Sequence, residues 1–244
     1  MTSTSSRRRA LVIGGSRGIG AAIAQRLAAD GHEVAITYVS RPEAAQASLE
    51  AIRRHAGRAI AVHADSSDAD ALRQAVAATT QAFGGLDVLV VNAGLYRHTP
   101  IDSVDLATLD QLLAVNIRGV VLAIQAALPQ LSAGGRIITI GSNTAVRSGS
   151  PGSSLYAMSK AAVAALVREL ALELAPRGIT INNLQPGPTA TDITAGWDAM
   201  LAARVPLGRI AQPAEIASLA SWVAGPEAGY MTGSSLTIDG GFIL

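Results

Sequence analysis

The sequence has few or none of several residue types, and each shortage excludes a class of protein. Its 244 residues contain no cysteine, so the protein forms neither disulfides nor thiolate metal sites. Charged residues make up 15% and the formal net charge is +1, which gives no field that would attract nucleic acid. No apolar run approaches the roughly 18 residues of a membrane span. We therefore expect a cytoplasmic protein that binds neither nucleic acid nor membrane.

Aromatic residues are also rare, at 3%, although apolar residues as a whole reach 49%. The core must therefore consist of Ala, Val, Ile and Leu, and the chain length suits one large domain. We expect this domain to cover residues 9–244, after a disordered leader over residues 1–8. The leader includes part of the arginine cluster in "MTSTSSRRR". A solvated tail is the expected interpretation, and a short arm that contacts nucleic acid is the alternative.

Short β-branched runs alternate along the chain with Ala-rich segments whose apolar residues have helical spacing. This alternation predicts a single-domain α/β fold, with a doubly wound parallel sheet of seven strands and helices on both faces. The strands are continuously apolar, as expected for strands covered on both faces. The predicted strands are residues 10–13, 33–37, 59–63, 86–91, 136–140, 179–184 and 236–238. The predicted helices are residues 19–30, 43–55, 68–83, 106–128, 155–174 and 214–223.

The first predicted strand leads directly into "GGSRGIG", in which Gly14, Gly18 and Gly20 precede a helix. Glycines at these positions allow a tight turn and let the backbone approach a pyrophosphate at the helix N-terminus. An ordinary glycine-rich turn has the same composition. The strand before it and the helix after it favour a dinucleotide site of the Rossmann type.

The end of the second strand indicates which dinucleotide is bound. An acidic residue there would bind the ribose 2′-hydroxyl and select NAD. This chain has Ser40 and Arg41 instead, and its glycine-rich loop contains Arg17. Two guanidinium groups can bind a 2′-phosphate through charge-assisted hydrogen bonds. We therefore expect NADPH (NADP⁺ when oxidised) as the cofactor, the alternative being two solvated arginines.

The only lysine, Lys160, follows Tyr156 by four residues in "LYAMSK". Residues four apart share one face of a helix, so the ammonium and the phenol can lie in one site. We expect the nearby cation to lower the pKa of the phenol, which would let Tyr156 exchange a proton near neutral pH. A surface helix with coincidental spacing is the alternative.

These motifs together resemble those of the short-chain dehydrogenase/reductase family, over nearly the whole chain from residue 9 onward. The matching stretches are "GGSRGIG" (14–20), "NAG" (92–94), Asn116 in "LLAVNIRG", "IGS" ending at Ser142, "YAMSK" (156–160), "PGPTAT" (186–191) and "TIDGG" (237–241). Within the family the chain is similar to 3-oxoacyl-carrier-protein reductases and ketoreductases. Pieces such as "LDVLVVNAG" also look like the branch of cyclic-di-GMP-binding biofilm dispersal mediators.

The resemblance implies a catalytic set and the reduction of a ketone or 3-oxoacyl carbonyl by NADPH. Tyr156 would be the general acid, Ser142 would hold the carbonyl oxygen, Lys160 would bind the nicotinamide ribose, and Asn116 would anchor a water. With the residues already named, the implied cofactor-binding set is Gly14, Ser16, Arg17, Gly18, Ile19, Gly20, Ser40, Arg41, Asp65, Ser66, Asn92, Ala93, Gly94, Tyr156, Lys160, Pro186, Gly187, Thr189 and Thr191. The alternatives are a nucleotide-binding regulator on the same fold and an NADP-dependent alcohol dehydrogenase that works in the oxidative direction.

Two residues depart from the family pattern. Ile13 replaces a Thr whose hydroxyl often ties the cofactor loop to its neighbour, and Thr189 occupies a place often held by Ile or Val. We expect little loss from Thr189, because the family contact there runs mainly through the backbone.

The substrate walls are expected at residues 95–99, 143–155 and 191–200. Their Arg97 and Arg147 are either receptors for an anionic substrate or solvated. No metal site is expected, since the histidines show no metal-binding spacing. Broad apolar coverage of the helices at 106–128 and 155–174 suggests an interface, and relatives pair these helices, so we expect a homotetramer or a homodimer.

Overall fold

The computed structural model describes residues 7–55 and 58–244. They form a seven-stranded, wholly parallel sheet in the order β3-β2-β1-β4-β5-β6-β7, with helices on both faces. The predicted fold class is therefore confirmed. The first six residues of the predicted leader, and the Ala56-Gly57 pair expected to end a helix, lie outside the described residues.

The strands agree closely with the sequence prediction. They are β1 Arg9–Ile13, β2 Glu33–Tyr38, β3 Ala59–His63, β4 Leu86–Val91, β5 Leu131–Ile140, β6 Thr180–Pro186 and β7 Ser235–Ile238. The α-helices are α1 Gly18–Ala29, α2 Pro42–Arg53, α3 Ala69–Phe83, α4 Leu106–Leu113, α5 Gly119–Ala127, α6 Ser154–Leu174, α7 Asp198–Ala202 and α8 Pro213–Ala224. Strand β5 begins five residues before its predicted start, and its pairing with β4 is irregular between Leu86 and Val88. The five-residue helix α7 is too short for its periodicity to show in the sequence.

Two core layers hold the helices to the sheet. Alternate residues of β1 point to opposite faces, so Ala10 and Val12 pack beneath α1 and α8, whereas Leu11 and Ile13 pack beneath α3, α5 and α6. All four are at most 1% exposed. Burial on both faces fixes the register of β1, and with it the position at which the glycine-rich loop leaves the sheet.

The predicted helix at 106–128 is interrupted by a π-helical turn, Ala114–Arg118, between α4 and α5. Such turns insert a residue into the helix and are common at functional sites. Gly119 lets the helix pass close to the segment that follows β3, because a Cβ there would lie 2.4 Å from the Ser66 carbonyl oxygen. The turn directs Asn116, which is fully buried, toward the loop that follows β4.

The same segment, Leu106–Ala127, is the one helix within residues 7–55 and 58–244 that is long and apolar enough to cross a membrane. A core helix of a soluble protein passes the same test of length and composition. The segment also contains Asp110, Asn116 and Arg118, so it is weak evidence for a membrane span.

The arginines at the start of the domain are anchored. Arg9 binds the Asp87 carboxylate at 2.7 and 2.8 Å through its side chain, and Arg8 Nη1 donates to the Ala224 carbonyl at 2.5 Å. The expectation of a solvated tail is therefore wrong for Arg8, whose side chain reaches the end of α8. Arg9, the first residue of the expected domain, binds Asp87 in β4.

Candidate active site

The carboxyl ends of the central strands open onto a cleft of about 630 Å³, at the point where the strand order reverses between β1 and β4. Most of the predicted site residues lie together along this cleft. They are Gly14, Ser16, Arg17, Gly18, Ile19, Ser40, Asp65, Ser66, Asn92, Ala93, Gly94, Ser142, Tyr156, Lys160, Pro186, Gly187, Thr189 and Thr191. Three others, Gly20, Arg41 and Asn116, are not among the residues that line the cleft.

The glycine-rich loop leaves room for a phosphate group beside the backbone. Gly14 and Gly18 have φ of +76° and +54°, which side chains other than glycine rarely adopt. A Cβ on Gly20 would lie 2.2 Å from the Gly14 carbonyl oxygen, so no side chain fits there. No side chain of the described residues caps the start of α1, which leaves its first N–H groups available to an anion. The loop therefore fits a dinucleotide pyrophosphate.

The hydroxyl that Ile13 lacks is supplied by Thr37 on β2. Gly14 N donates to Thr37 Oγ1 at 2.9 Å, and Asn92 Nδ2 donates to the Gly14 carbonyl at 2.7 Å. Thr37 is 1% exposed and was not expected in the site. The signal that was available is a buried threonine near the end of an otherwise apolar strand.

Both arginines of the predicted phosphate site bind one carboxylate. Arg17 Nη1 lies 2.6 Å from Asp192 Oδ2, and Arg41 Nη1 lies 3.0 Å from the same oxygen. Asp192 belongs to the loop after β6 and lines the cleft. Neither arginine is simply solvated, although all three side chains are more than half exposed.

Arg41 has an unusual backbone. Its φ of 60° and ψ of 67° place it in the left-handed region, and it is the only non-glycine residue with positive φ among the residues described. This conformation costs about 1–2 kcal/mol for a residue with a Cβ. It directs the guanidinium from the start of α2 toward Asp192, and strain of this kind often accompanies a functional position.

Tyr156 and Lys160 lie on one face of α6, where Lys160 is buried and Tyr156 is partly buried. Lys160 Nζ donates to the Ile140 carbonyl at 2.8 Å and lies 5.7 Å from the centre of the Tyr156 ring. Burial lowers the pKa of Lys160 to about 8. The closeness of the two side chains agrees with the sequence prediction.

The expected effect of Lys160 on the phenol is wrong for this structure. Burial raises the pKa of Tyr156 to about 12, a hydrogen bond with Ser142 opposes that increase, and Tyr96 adds to it. The loss of water around the phenolate is the largest of these three effects. The hydroxyl therefore stays protonated at neutral pH.

Ser142 is oriented by its neighbour Thr144. The Ser142 oxygen accepts hydrogen bonds from Thr144 Oγ1 at 2.9 Å and from Thr144 N at 3.2 Å. With its oxygen engaged as an acceptor, Ser142 can donate its own proton into the cleft. Its contact with Asn143 Oδ1, at 3.5 Å, is weak and does not hold that proton.

Asn116 fixes the loop that follows β4. Its Oδ1 accepts from Leu95 N at 2.7 Å, and its Nδ2 donates to the Leu95 carbonyl at 2.9 Å and to Ser159 Oγ at 3.0 Å. The side chain therefore joins the π-helical turn to that loop and to α6. The water that the family resemblance assigns to Asn116 stays a prediction.

An aromatic wall covers the substrate side of the cleft. The rings of Tyr96 and Tyr156 lie 5.0 Å apart, and those of Tyr96 and Trp197 lie 6.4 Å apart, both edge to face. Arg97 and Arg147, the proposed receptors for an anionic substrate, do not line the cleft, and neither does His98.

Arg204 and Phe242 are among the lining residues that were not expected from the sequence. Arg204 Nη1 donates to Ser150 Oγ at 2.9 Å, and its guanidinium carbon lies 4.8 Å from the Phe242 ring centre. Arg204 thus joins three distant segments at the mouth of the cleft. Within residues 7–55 and 58–244, no three metal-ligating side chains come close enough to hold a metal ion.

A glycine-rich loop at the switch point, followed by a tyrosine and a buried lysine on one helix, is the arrangement of α/β oxidoreductases that use a dinucleotide. A family model described as "Enoyl-(Acyl carrier protein) reductase" matches residues 13–243. The chain belongs to the short-chain dehydrogenase/reductase family.

Individual proteins agree with this assignment over nearly the whole chain. The chain is 40% identical to the cyclic-di-GMP-binding biofilm dispersal mediator protein of Escherichia coli K12, with 95% of each chain covered. It is 39% identical to a 3-oxoacyl-[acyl-carrier-protein] reductase of Synechocystis sp., with 96% of each covered. A short-chain dehydrogenase of Burkholderia cenocepacia J2315, solved in complex with NADP, has a TM-score of 0.94 and 48% identity, over 97% of this chain and 98% of that one.

The variants Arg41→Gly and Arg41→Ala separate the backbone strain from the side chain. Both lose the guanidinium, but glycine adopts positive φ without a Cβ clash, so Arg41→Gly should be more stable than Arg41→Ala by about 1 kcal/mol. Urea denaturation measures the difference, and titration with NADPH should show equal weakening in the two variants. Equal stability would contradict the strain, and unchanged NADPH affinity would contradict the role of the side chain.

Proposed function

We propose that the protein is a cytoplasmic NADPH-dependent reductase that converts a ketone or 3-oxoacyl carbonyl to an alcohol, with Tyr156 as the proton donor. The observation that carries this proposal is a protonated, partly buried phenol that is near both the oriented hydroxyl of Ser142 and the ammonium of Lys160. The reductase activity named for the Synechocystis relative and the NADP bound by the Burkholderia structure support it.

Ser142 and Tyr156 supply two hydroxyl donors for one carbonyl oxygen. Their hydrogen bonds would hold the oxygen and draw electron density away from the carbonyl carbon, which stabilises the negative charge that develops in the transition state. Bound NADPH would supply the hydride. Thr144 keeps the Ser142 oxygen occupied, so the proton of that hydroxyl remains directed at the substrate.

The raised pKa of Tyr156 suits a proton donor in the direction of reduction. An alkoxide is about as strong a base as hydroxide, so the pKa of the alcohol that forms is far higher than that of a phenol. The Tyr156 pKa of about 12 lies well below that of the alcohol, so the proton moves downhill from the phenol to the new alkoxide. Oxidation needs a phenolate as the base, and few molecules carry it at neutral pH. We therefore favour reduction over the oxidative alternative.

Lys160 acts on the phenolate that Tyr156 leaves behind. The ammonium is buried near the tyrosine ring, where the low dielectric makes its attraction for a new negative charge strong. One of its three N–H groups binds the Ile140 carbonyl, which leaves two for the phenolate and a ribose hydroxyl. With a pKa of about 8, Lys160 is mostly charged at pH 7.

The cofactor part of the proposal rests on Ser40, Arg41 and Arg17. The site holds no acidic residue at the end of β2, and two guanidiniums converge on one point at the rim of the cleft. Cationic groups at that point would favour the additional phosphate of NADPH. The other members of the predicted cofactor-binding set are proposed to act as assigned, because they line one continuous cleft.

The substrate side favours ketones with a flat apolar substituent. The Tyr96 ring lies 5.0 Å from the Tyr156 ring and 6.4 Å from the Trp197 ring, and aromatic surfaces bind planar groups by stacking and area burial. Arg204 lies at the mouth of the cleft and forms no ion pair with a carboxylate among the residues described, so it can receive an anionic tail of a longer substrate.

The pH dependence of reduction should follow Lys160. Below pH 8 the ammonium is present and the rate is flat; above pH 8 the group loses its proton and kcat/KM for NADPH, which reports on the free enzyme, should fall. Tyr156→Phe should lower kcat about 100- to 10,000-fold while the fold remains. NADPH oxidation across pH 6–10 with a panel of ketones measures both effects.

Lys160→Arg is the matched control for this profile, because arginine keeps its charge throughout the range. Its residual activity should show no decline near pH 8. Equal turnover by wild type and Tyr156→Phe on every active ketone would contradict the proton-donor role, and a decline that persists in Lys160→Arg would contradict the assignment to Lys160.

We also propose a homotetramer, or at least a homodimer, built through α4–α5 and α6. Only 33% of the most apolar window in Leu106–Ala127 is buried within the chain. Val121, Met158 and Leu172 are 42%, 46% and 74% exposed, an apolar surface that a second copy would cover. Light scattering should give at least twice the chain mass of 24.8 kDa. A monomer at micromolar concentration would contradict the proposal.

A nucleotide-binding regulatory role is the second candidate. It is favoured by the Escherichia coli relative, which is named for binding cyclic-di-GMP, and by the arginine pair, which suits a phosphodiester. If this role is correct, cyclic-di-GMP should bind saturably and Arg17→Ala should weaken it. Absence of binding beside active ketone reduction would leave the reductase as the sole function.

A further inference from the structure

The loop after β6 crosses the rim of the cleft and supplies the counterion of both Arg17 and Arg41. One oxygen of Asp192 lies 2.6 Å from Arg17 Nη1 and 3.0 Å from Arg41 Nη1. The two arginines come from separate segments, the glycine-rich loop and the start of α2. Their guanidiniums meet at this single carboxylate oxygen, which therefore marks the place where their positive charges converge.

We propose that Asp192 is a specificity-determining residue that occupies the position of the cofactor 2′-phosphate and competes with it for Arg17 and Arg41. This inference rests on the proposed use of NADPH. NADPH must separate Asp192 from both arginines, whereas NADH, which lacks the phosphate, leaves both ion pairs in place. Asp192 thus reduces the preference for NADPH that the two arginines create.

The balance of charge explains why the phosphate and Asp192 exclude one another. Two guanidiniums carry two positive charges, and a phosphate monoester carries close to two negative charges at pH 7. A carboxylate retained at the same point would add a third negative charge within contact distance, where like charges repel. The same geometry also leaves the Arg17 and Arg41 donors fewer free N–H groups for the phosphate oxygens.

Asp192 is part of a firmly hydrogen-bonded turn. Thr194 Oγ1 donates to the Thr189 carbonyl at 2.6 Å and accepts from Thr191 N at 3.1 Å, and Ala190 N donates to the Ala211 carbonyl at 2.9 Å. Release of Asp192 therefore acts on a connected segment that continues to Trp197, whose N donates to the Thr194 carbonyl at 2.9 Å. Asp192 and Trp197, a member of the aromatic wall, therefore belong to one hydrogen-bonded segment.

The opposite role for Asp192 makes an opposite prediction. If the carboxylate served to hold the two arginines ready for the phosphate, its removal would weaken the binding of NADPH. If it competes with the phosphate, its removal strengthens that binding. The sign of one measured change therefore decides between the two roles.

The test uses Asp192→Asn in the full chain, with Asp198→Asn as the matched control. Asp198 lies six residues further along, at the start of α7, and forms no ion pair among the described residues, so its replacement removes the same charge. The probes are 2′,5′-ADP and 5′-AMP, which differ in the 2′-phosphate, followed by NADPH and NADH. Dissociation constants are measured by calorimetry at one fixed salt concentration.

Exposed ion pairs of this kind contribute little each, so Asp192→Asn should tighten 2′,5′-ADP and NADPH by about threefold to tenfold. Binding of 5′-AMP and NADH should change by less than about twofold, since neither has the competing phosphate. In an Arg17→Ala, Arg41→Ala background the gain should disappear. Thermal unfolding of each variant establishes that it is folded.

Weaker or unchanged binding of 2′,5′-ADP by Asp192→Asn would overturn the proposal. An equal gain in Asp198→Asn would also overturn it, because the effect would then come from net charge alone. These readouts involve no turnover, so they are independent of whether any ketone is reduced. If the arginine pair itself does not favour 2′,5′-ADP over 5′-AMP in the wild-type protein, the failure lies in the proposed cofactor and not in Asp192.

Discussion

Lys160 carries a positive charge on a side chain that is almost fully buried, and its contacts hold the elements of the site together. Its Nζ donates to the carbonyl at the end of β5, and its helix also carries Tyr156. Gly94 leaves the space that the ammonium needs, because a Cβ there would lie 3.3 Å from Nζ. The ends of β4 and β5 and the first turns of α6 therefore meet around one charged group, and its desolvation lowers the Lys160 pKa.

Burial decides the protonation of both members of this pair. It raises the Tyr156 pKa to about 12 and lowers the Lys160 pKa to about 8, so the pair at neutral pH consists of a neutral phenol and an ammonium. This state has a proton to give and a cation to stabilise the charge that remains. In the proposed reduction, the ammonium would thus act on the phenolate after the proton has moved, and it would not need to make the resting phenol acidic.

The parts of the molecule that could be predicted from sequence depend on short spacings. The parallel sheet follows from the alternation of apolar runs with helical segments, and the closeness of Tyr156 and Lys160 follows from their spacing of four residues on one helix. The direction of the Tyr156 pKa could not be predicted, because it depends on how much water the folded protein excludes. The same holds for Thr37 and Asp192, which meet Gly14 and Arg17 across 23 and 175 residues of sequence.

The rim and the base of the cleft differ in their exposure to solvent. The residues proposed to select the cofactor and those proposed to transfer the proton therefore lie in different electrostatic environments. At the rim, Arg17, Arg41 and Asp192 are more than half exposed, so their interactions are weak and are screened by salt. At the base, Lys160 is 4% exposed and its charge acts at low dielectric, with little screening. If the proposed roles are correct, small changes at the rim therefore shift the preference between cofactors without altering proton transfer at Ser142, Tyr156 and Lys160.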